Sequence, residues 1–288
     1  MFFPRRILEQ KLLEMLAEDL GQGDITTSLI VPPEATVESE IVAKESGVAA
    51  GIEEATVLLE SLGLEADVLA RDGERIRPGQ RLIRARGNAR TMLSVERTLL
   101  NVLSRMSGIA TATRSMVEKL QKAKLNVTVA CTRKTAPGLR YFDKKAVLIG
   151  GGDTHRLHLD DMILIKDNHV ALVGSCEKAI SKAKQSASFS KKIEVEVESA
   201  DEALRAARAG ADVIMLDNFS PSQARKTSAL LRKVHHQRRI MIEASGRIDS
   251  ENIVEYASTG VDIVSLGQIT QSPKALDISM QITKTSKK

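Results

Sequence analysis

From Leu125 onward the chain alternates short β-branched runs with amphipathic, alanine-rich segments, and this alternation constrains the fold more than any other feature. Strand-like runs lie at 126–130, 146–149, 162–165, 193–197, 213–216, 240–244 and 263–266, and helical segments such as 200–209 and 221–234 separate several of them. Strands joined by helices pair in parallel, because the helix provides the long crossover that a hairpin cannot. About seven such strands, with polar residues gathered at their ends, favour closure into an incomplete or irregular β/α barrel. An open doubly wound sheet has the same local pattern, so sequence leaves that alternative standing.

The first third reads differently. Residues 5–20 place Ile7, Leu8, Leu12, Leu13, Met15, Leu16 and Leu20 at helical spacing, and Gly21 and Gly23 stop that helix. Strand patterns at 37–43, 65–70 and 81–85 flank a helix at 51–62, with Asp72-Gly73 and Pro78-Gly79 as turn signals. This is an α+β domain with an antiparallel sheet. A long helix follows from Thr91, interrupted or bent by Ser107-Gly108-Ile109-Ala110-Thr111 before it continues to Lys122. The domain boundary is expected near Gly108, giving an N-terminal domain at 1–108 and a barrel at 109–270.

With 42% hydrophobic and 27% charged residues the 288-residue chain reads as an ordinary globular protein. No apolar run approaches bilayer length and the start lacks a signal-peptide pattern, so a cytoplasmic location is expected. Cys131 and Cys176 lack disulfide or zinc spacing. The net charge of +5 admits nucleic acid, but aromatic residues make up only 2% and none interleaves with the basic residues as a base-stacking platform requires. The basic tail 284–288 reads as a solvated terminus, and His235-His236 with Arg238-Arg239 as a solvated loop.

The chemistry is concentrated between Cys131 and His169. That stretch holds His155, His158 and His169 together with Arg133, Lys134, Arg140, Lys144, Lys145, Arg156 and Lys166. Cations on strand ends and loops form a pocket for something strongly anionic. Later strand ends supply acids and glycines: Glu194 and Glu196 share one face of their strand, Asp217-Asn218 ends the next, and Ser245-Gly246 and Gly267 end the last two. Taken singly, Glu196 and Asp217 are equally well explained as structural partners of Lys134 or Lys166. Together they suit a divalent cation of the Mg²⁺ type held by a polyphosphate, with the glycines as a phosphate cradle. His155 fits a hydrogen-bonding pocket residue, His158 the surface, and His169 a cap for its loop. Cys131 lacks a base partner and reads as structural.

Taken in order, these segments resemble the quinolinate phosphoribosyltransferase family, of the type II phosphoribosyltransferases. They are Gly23–Thr27 (GDITT), Glu96-Arg97-Thr98-Leu99-Leu100-Asn101, 107–111, TRKTAPGLR from Thr132, GGGDTHR from Gly150, LIKDNH from Leu164, EVEVES from Glu194, MLDN from Met215 and EASG from Glu243. The resemblance implies a sandwich-like α+β domain, the barrel, and a C-terminal helical segment over 271–288 able to pack back on the N-terminal domain. It implies phosphoribosyl transfer from phosphoribosyl pyrophosphate (PRPP) to quinolinate with Mg²⁺ and loss of CO₂, giving nicotinate mononucleotide in the biosynthesis of NAD. By resemblance Arg133, His155 and Arg156 hold the two quinolinate carboxylates, with Lys166 beside them. Lys134 and Lys166 contact the donor, Glu196 and Asp217 serve ribose and metal, and Ser245, Gly246 and Gly267 hold the 5′-phosphate. Arg97 would come from a neighbouring subunit, implying a homodimer with shared active sites. Cys131, Thr154, His158, Arg247 and Gln271 depart from the family pattern. The rival readings are a same-fold homologue of the molybdenum-transport-associated branch acting on another acid, and a non-catalytic phosphate-ligand binding barrel.

Overall fold

The computed structural model describes residues 3–234 and 240–286. The chain divides into two compact units, one made of 1–114, 141–151 and 273–288, the other of 115–140 and 152–272. The loop of His235, His236, Arg238 and Arg239 and the terminal Lys287 and Lys288 lie outside the described residues.

In the first unit, helix α1 (Arg5–Leu20) buries Leu8, Leu12 and Leu16, one stripe at i, i+4 and i+8, and ends at Gly21 with φ 54°. Helix α2 (Ile25–Ile30) begins at Asp24, whose side chain accepts from the Thr27 amide at 3.0 Å. Strands β1 (Thr36–Ala43), β3 (Glu65–Val68) and β5 (Arg81–Asn88) pair antiparallel with β5 in the middle, and β2 (Gly47–Val48) and β4 (Arg75–Ile76) form a small ribbon. Helix α3 (Ile52–Ser61) packs its Ala55, Val57, Leu58 and Leu59 into this core.

Helix α4 (Ala89–Lys122) runs for 34 residues without a break, which corrects the expected interruption at 107–111. The small residues there serve close packing. A Cβ on Gly108 would stand 1.9 Å from the Lys274 carbonyl oxygen. The Ser107 hydroxyl accepts from the Ala50 amide at 3.0 Å and donates to the Ala50 carbonyl at 3.1 Å. A glycine inside a helix costs about 1 kcal/mol relative to alanine, and here the backbone approach offsets it.

A second correction concerns residues 146–149. They are not a strand but the end of helix α5 (Arg140–Gly150), and 141–151 belongs to the first unit. Four apolar residues in a row do not distinguish strand from helix. The wider spacing of Phe142, Ala146 and Gly150, all buried, is helical. Lys144 and Lys145 on α5 are therefore buried helix residues, not pocket cations. Lys145 pairs with Glu54 at 2.6 Å and with Glu53, and Arg105 grips the fully buried Asp143 through two bonds of 2.7 and 2.9 Å.

The second unit contains β6 (Thr128–Cys131), β7 (Ile163–Ile165), β8 (Ile193–Val197), β9 (Val213–Asp217), β10 (Met241–Ser245) and β11 (Ile263–Leu266). Helices α6 (Asp167–Val173), α7 (Cys176–Ser186), α8 (Ala200–Ala209), α9 (Pro221–Val234), α10 (Ile253–Ala257) and α11 (Gln268–Gln271) lie between or after them. The six strands are parallel in the order β6-β11-β10-β9-β8-β7. The first strand pairs with the last, as a barrel requires and an open doubly wound sheet does not. The strand expected at 146–149 is thus absent from this sheet, and after α5 Asp153 makes a single parallel bridge to Ala130. Its amide donates to Val129 at 2.8 Å and its carbonyl accepts from Cys131 at 3.0 Å. Polar, glycine-rich 150–154 offers a single β-branched residue, Thr154, after three glycines and an aspartate, and is too poor in strand formers to extend that bridge into a strand.

The chain ends in β12 (Ile278–Ser286), which pairs antiparallel with β1 in the first unit. Of the helical segment expected over 271–288, residues 278–286 are instead a strand. Ile278, Ile282, Thr283 and Thr285 are β-branched, and the outer edge of β1 offers them a ladder that no local signal announces. Among the described residues no helix is long and apolar enough to cross a membrane.

Candidate active site

The C-terminal ends of all six parallel strands converge on one cavity of about 870 Å³, lined by the second unit alone. This is where parallel β/α folds place their chemistry, because the loops there project functional groups from a rigid sheet. Thr132, Arg133 and Lys134 follow β6, Lys166 follows β7, and Glu196 rises from β8. Asp217 and Asn218 end β9, Ser245, Gly246 and Arg247 end β10, and Gly267 follows β11. His155 and Arg156 reach the same cavity from the loop after the Asp153 bridge. Of the residues to which the resemblance gives a substrate, donor, metal or phosphate role, Arg97 alone is outside the lining. It is exposed on α4 in the first unit. Arg140 is held near its own loop, its Nε donating to Thr135 at 3.5 Å.

One part of the cavity is cationic. Burial holds the Arg156 pKa below its ordinary value, and the positive charge of Arg133 lowers it further. The Arg133 Nε is buried with no hydrogen-bond partner among the described residues. Two guanidiniums that repel one another are stabilised by an anion with more than one oxygen to offer, and their forked donors fit carboxylates.

Another part is acidic. Lys166 Nζ meets Glu196 at 2.6 Å. Burial pushes the Asp217 carboxyl up, the Glu196 charge pushes it further, and the amide of Asn218 donates to it at 2.6 Å. A cation or sugar hydroxyl placed between Glu196 and Asp217 would relieve that repulsion.

The glycines have stereochemical reasons. Gly246 has φ +90°, and a Cβ there would stand 2.4 Å from Asn218 Oδ1. At Gly267 a Cβ would meet Lys134 Cδ at 2.9 Å. Both leave bare backbone facing the cavity, which lets an anion approach N–H groups.

Beneath the cationic part lies a cluster that the sequence reading missed. Glu194 and Glu243 are fully buried, and each has a carboxylate oxygen 3.3 Å from His155 Nε2. None of their four oxygens has a hydrogen bond of good geometry among the described residues. Burying one carboxylate costs several kcal/mol, and two together cost more unless a proton or cation is shared. Burial opposes a charge on the His155 ring, while the two carboxylates favour one strongly enough to push its pKa up to about 10. Against that, the Arg156 amide donates to His155 Nδ1 at 2.8 Å, which leaves a lone pair there and puts the ring proton on Nε2. The amide geometry favours the neutral ring, because a second ring proton on Nδ1 would face the Arg156 N–H directly. Burial pushes the Glu194 carboxyl up, with the Glu243 charge adding to the effect.

Among the described residues, three groups of acids and histidines have ligand atoms within 4.8 Å of one another. In the His155, Glu194 and Glu243 group, Nδ1 accepts the Arg156 amide while Nε2 faces a carboxylate oxygen of each glutamate at 3.3 Å. The group of Glu53, Glu54 and Asp72 contains residues already paired with Lys145. In the exposed group, Asp161 accepts from the Leu157 and His158 amides at 2.5 and 3.2 Å and so serves its own turn.

Residues 24–107 match the description "Quinolinate phosphoribosyl transferase, N-terminal domain", and residues 109–281 match the C-terminal domain of the same family. The chain belongs to the quinolinate phosphoribosyl transferase family. It is 45% identical over 269 residues to the Methanothermobacter thermautotrophicus protein named "Probable nicotinate-nucleotide pyrophosphorylase (carboxylating)", covering 93% of this chain and 96% of that one. It is 39% identical to the Rattus norvegicus nicotinate-nucleotide pyrophosphorylase (carboxylating), covering 96% and 93%. Its fold is similar to the solved nicotinate-nucleotide pyrophosphorylase of Francisella tularensis, with a TM-score of 0.89, 36% identity and 98% of each chain covered.

Within the quinolinate phosphoribosyl transferase fold the departures noted in the sequence now have places. Arg247 has φ 55°, a left-handed conformation that a glycine takes without strain. Cys131 is buried and its thiol donates to the Thr154 carbonyl at 3.4 Å. His158 is exposed, while Gln271 lines the cavity. His169 caps its loop, its Nδ1 accepting from the Lys166 amide at 3.0 Å. The missed Glu194 had one visible signal: it shares a strand face with Glu196, which points it inward.

Proposed function

We propose that this chain joins quinolinate to the ribose of phosphoribosyl pyrophosphate and removes one carboxylate, releasing pyrophosphate and CO₂ and leaving nicotinate mononucleotide. The observation that carries this reading is a single cavity holding two mutually repelling guanidiniums, a lysine–glutamate pair, a second acid and bare glycine backbone. A dicarboxylate and a polyphosphate repel one another, and such a cavity suits both.

In this reading Arg133 and Arg156 hold the quinolinate carboxylates through their forks, with His155 below them and Lys166 beside them. Lys134 faces the donor as a point charge, and Ser245, Gly246 and Gly267 surround the 5′-phosphate. Glu196 and Asp217 accept from the ribose hydroxyls. Mg²⁺ would enter chelated by the donor's diphosphate, and an all-oxygen pair such as Glu196 and Asp217 suits that hard cation. As pyrophosphate leaves with the electrons of its C–O bond, positive charge grows on the ribose and the two carboxylates stabilise it. The pyridine nitrogen then forms the new bond to ribose C1. The adjacent carboxylate leaves as CO₂, its electrons remain on the ring carbon beside the cationic nitrogen, and a solvent proton completes the product. Fixed charges and positioning supply this catalysis without an enzyme nucleophile.

The test is direct. Purified protein with quinolinate, phosphoribosyl pyrophosphate and Mg²⁺ should release CO₂ and pyrophosphate in equal amounts. Absence of turnover, or turnover with nicotinate in place of quinolinate, overturns the reading. The same proposal includes a cytoplasmic homodimer in which a second copy supplies Arg97, since Arg97 is exposed and outside the cavity lining. Mixing Arg97→Ala with Lys134→Ala protein should then restore partial activity, and no recovery despite subunit exchange refutes that part.

A further inference from the structure

His155 stands in the cavity wall with both ring nitrogens already engaged. Its Nε2 faces Glu194 and Glu243 at 3.3 Å each, and its Nδ1 accepts the Arg156 amide at 2.8 Å. The residue is also held in an unusual backbone conformation, with φ 52°. Its own amide donates to Asp153 Oδ1 at 2.6 Å, and its carbonyl accepts from the Thr154 hydroxyl at 2.9 Å. A left-handed turn fixed by this many bonds has one evident product: it sets where the next residue, Arg156, begins.

We propose that Glu194 and Glu243 are positioning residues, which lock the His155 ring with its proton on Nε2 so that Nδ1 holds the Arg156 amide and aims that arginine into the acid pocket. The inference rests on the proposed function for what Arg156 then binds. It departs from the sequence expectation for His155, whose nitrogens face protein groups instead of a substrate carboxylate. Two fully buried acids with no other hydrogen bonds among the described residues are costly to the barrel core, and holding His155 gives their placement a reason. A metal on Nε2 would need the lone pair that the Nδ1 geometry denies it.

Two measurements test this, one of them independent of activity. In protein carrying ¹⁵N-labelled histidine, the His155 ring should show the neutral Nε2–H form at pH 7. The pair Glu194→Gln with Glu243→Gln should populate both neutral tautomers, because a glutamine amide can donate to Nε2 as well as accept from it, where an ionised carboxylate only accepts. A doubly protonated ring in the unaltered protein, or an unchanged tautomer in the double variant, overturns the proposal.

The second measurement is kinetic. The double variant should raise the quinolinate KM by about tenfold while the phosphoribosyl pyrophosphate KM moves by less than about twofold, a split that general unfolding does not produce. Substitutions of His155 itself then separate the two nitrogens. The Oδ1 of asparagine falls where Nδ1 stands and the Oε1 of glutamine near Nε2, and asparagine tolerates positive φ. His155→Asn should therefore raise the quinolinate KM less than His155→Gln does, by at least about threefold. The reverse order means that Nε2 serves the substrate, and the proposal fails. Should the unaltered protein show no turnover, the proposed function falls while the tautomer result still decides this inference.

Discussion

Gly246 offers the sharpest test of the phosphate cradle. Replacing it with alanine adds one Cβ at a residue whose φ is +90°, 2.4 Å from Asn218 Oδ1 and 2.9 Å from the Asn218 backbone nitrogen. The conformational strain alone is about 1–2 kcal/mol. Because a backbone atom is among the close contacts, rotating the Asn218 side chain away does not remove the clash. Moving Asn218 strips the 2.6 Å hydrogen bond that its amide gives the Asp217 carboxylate. Losing a bond to a charged group costs about 1.5–3 kcal/mol. Alanine also stiffens the unfolded chain, which returns about 0.4–1 kcal/mol. The net expectation is a loss of about 1.5–4.5 kcal/mol on these figures. Urea unfolding would read this as a lower midpoint at unchanged slope. Kinetics should show a higher phosphoribosyl pyrophosphate KM, with the quinolinate KM little moved. A variant within about 0.5 kcal/mol of the parent, the ordinary scatter of harmless surface changes, and with an unaltered donor KM refutes the reasoning.

Other outcomes follow from single contacts. Lys145→Ala leaves the fully buried Glu54 without its 2.6 Å partner and should destabilise the chain by about 3–5 kcal/mol in chemical denaturation. Arg247→Gly relieves a left-handed arginine and should gain up to about 1 kcal/mol from that relief, less the added freedom of the unfolded chain. A raised donor KM in the same variant would show that the Arg247 cation serves the phosphate. Asp24→Ala should remove the cap of α2 and flatten part of the acid limb of stability. The Thr27 hydroxyl and amide hold the Asp24 carboxyl below its ordinary 3.8, so its contribution is present above that value and disappears as pH falls through the depressed one. Parallel acid-unfolding curves for parent and variant would contradict this.

Much of the candidate site was legible because its residues stand where strands end, and strand ends can be read locally. Arg133, Lys134, Lys166, Glu196, Asp217 and Ser245 each follow or close a β-branched run, and all six line the cavity. Lys144 and Lys145 looked equivalent in the sequence, sitting among the same cations, yet helix α5 carries them into the first unit. Charge density along a chain does not reveal which unit a segment joins. The grouping of Glu194 and Glu243 was overlooked for a related reason: an inward carboxylate on a buried strand gains its meaning from His155, which lies 39 and 88 residues away in order along the chain.

By itself the sequence determined the β–α alternation, the parallel sheet it requires and the acids, cations and glycines at the strand ends. These depend on periodicity and on chain direction, which operate over a few residues. Tertiary structure alone decided that the first parallel strand meets the last, that 278–286 adds a strand to the N-terminal sheet, and that 141–151 leaves the barrel. It also decided that two carboxylates meet one imidazole below the cationic part of the cavity. Each of these is a choice of partner made by burial and close packing between distant segments, and local pattern carries no record of the partner.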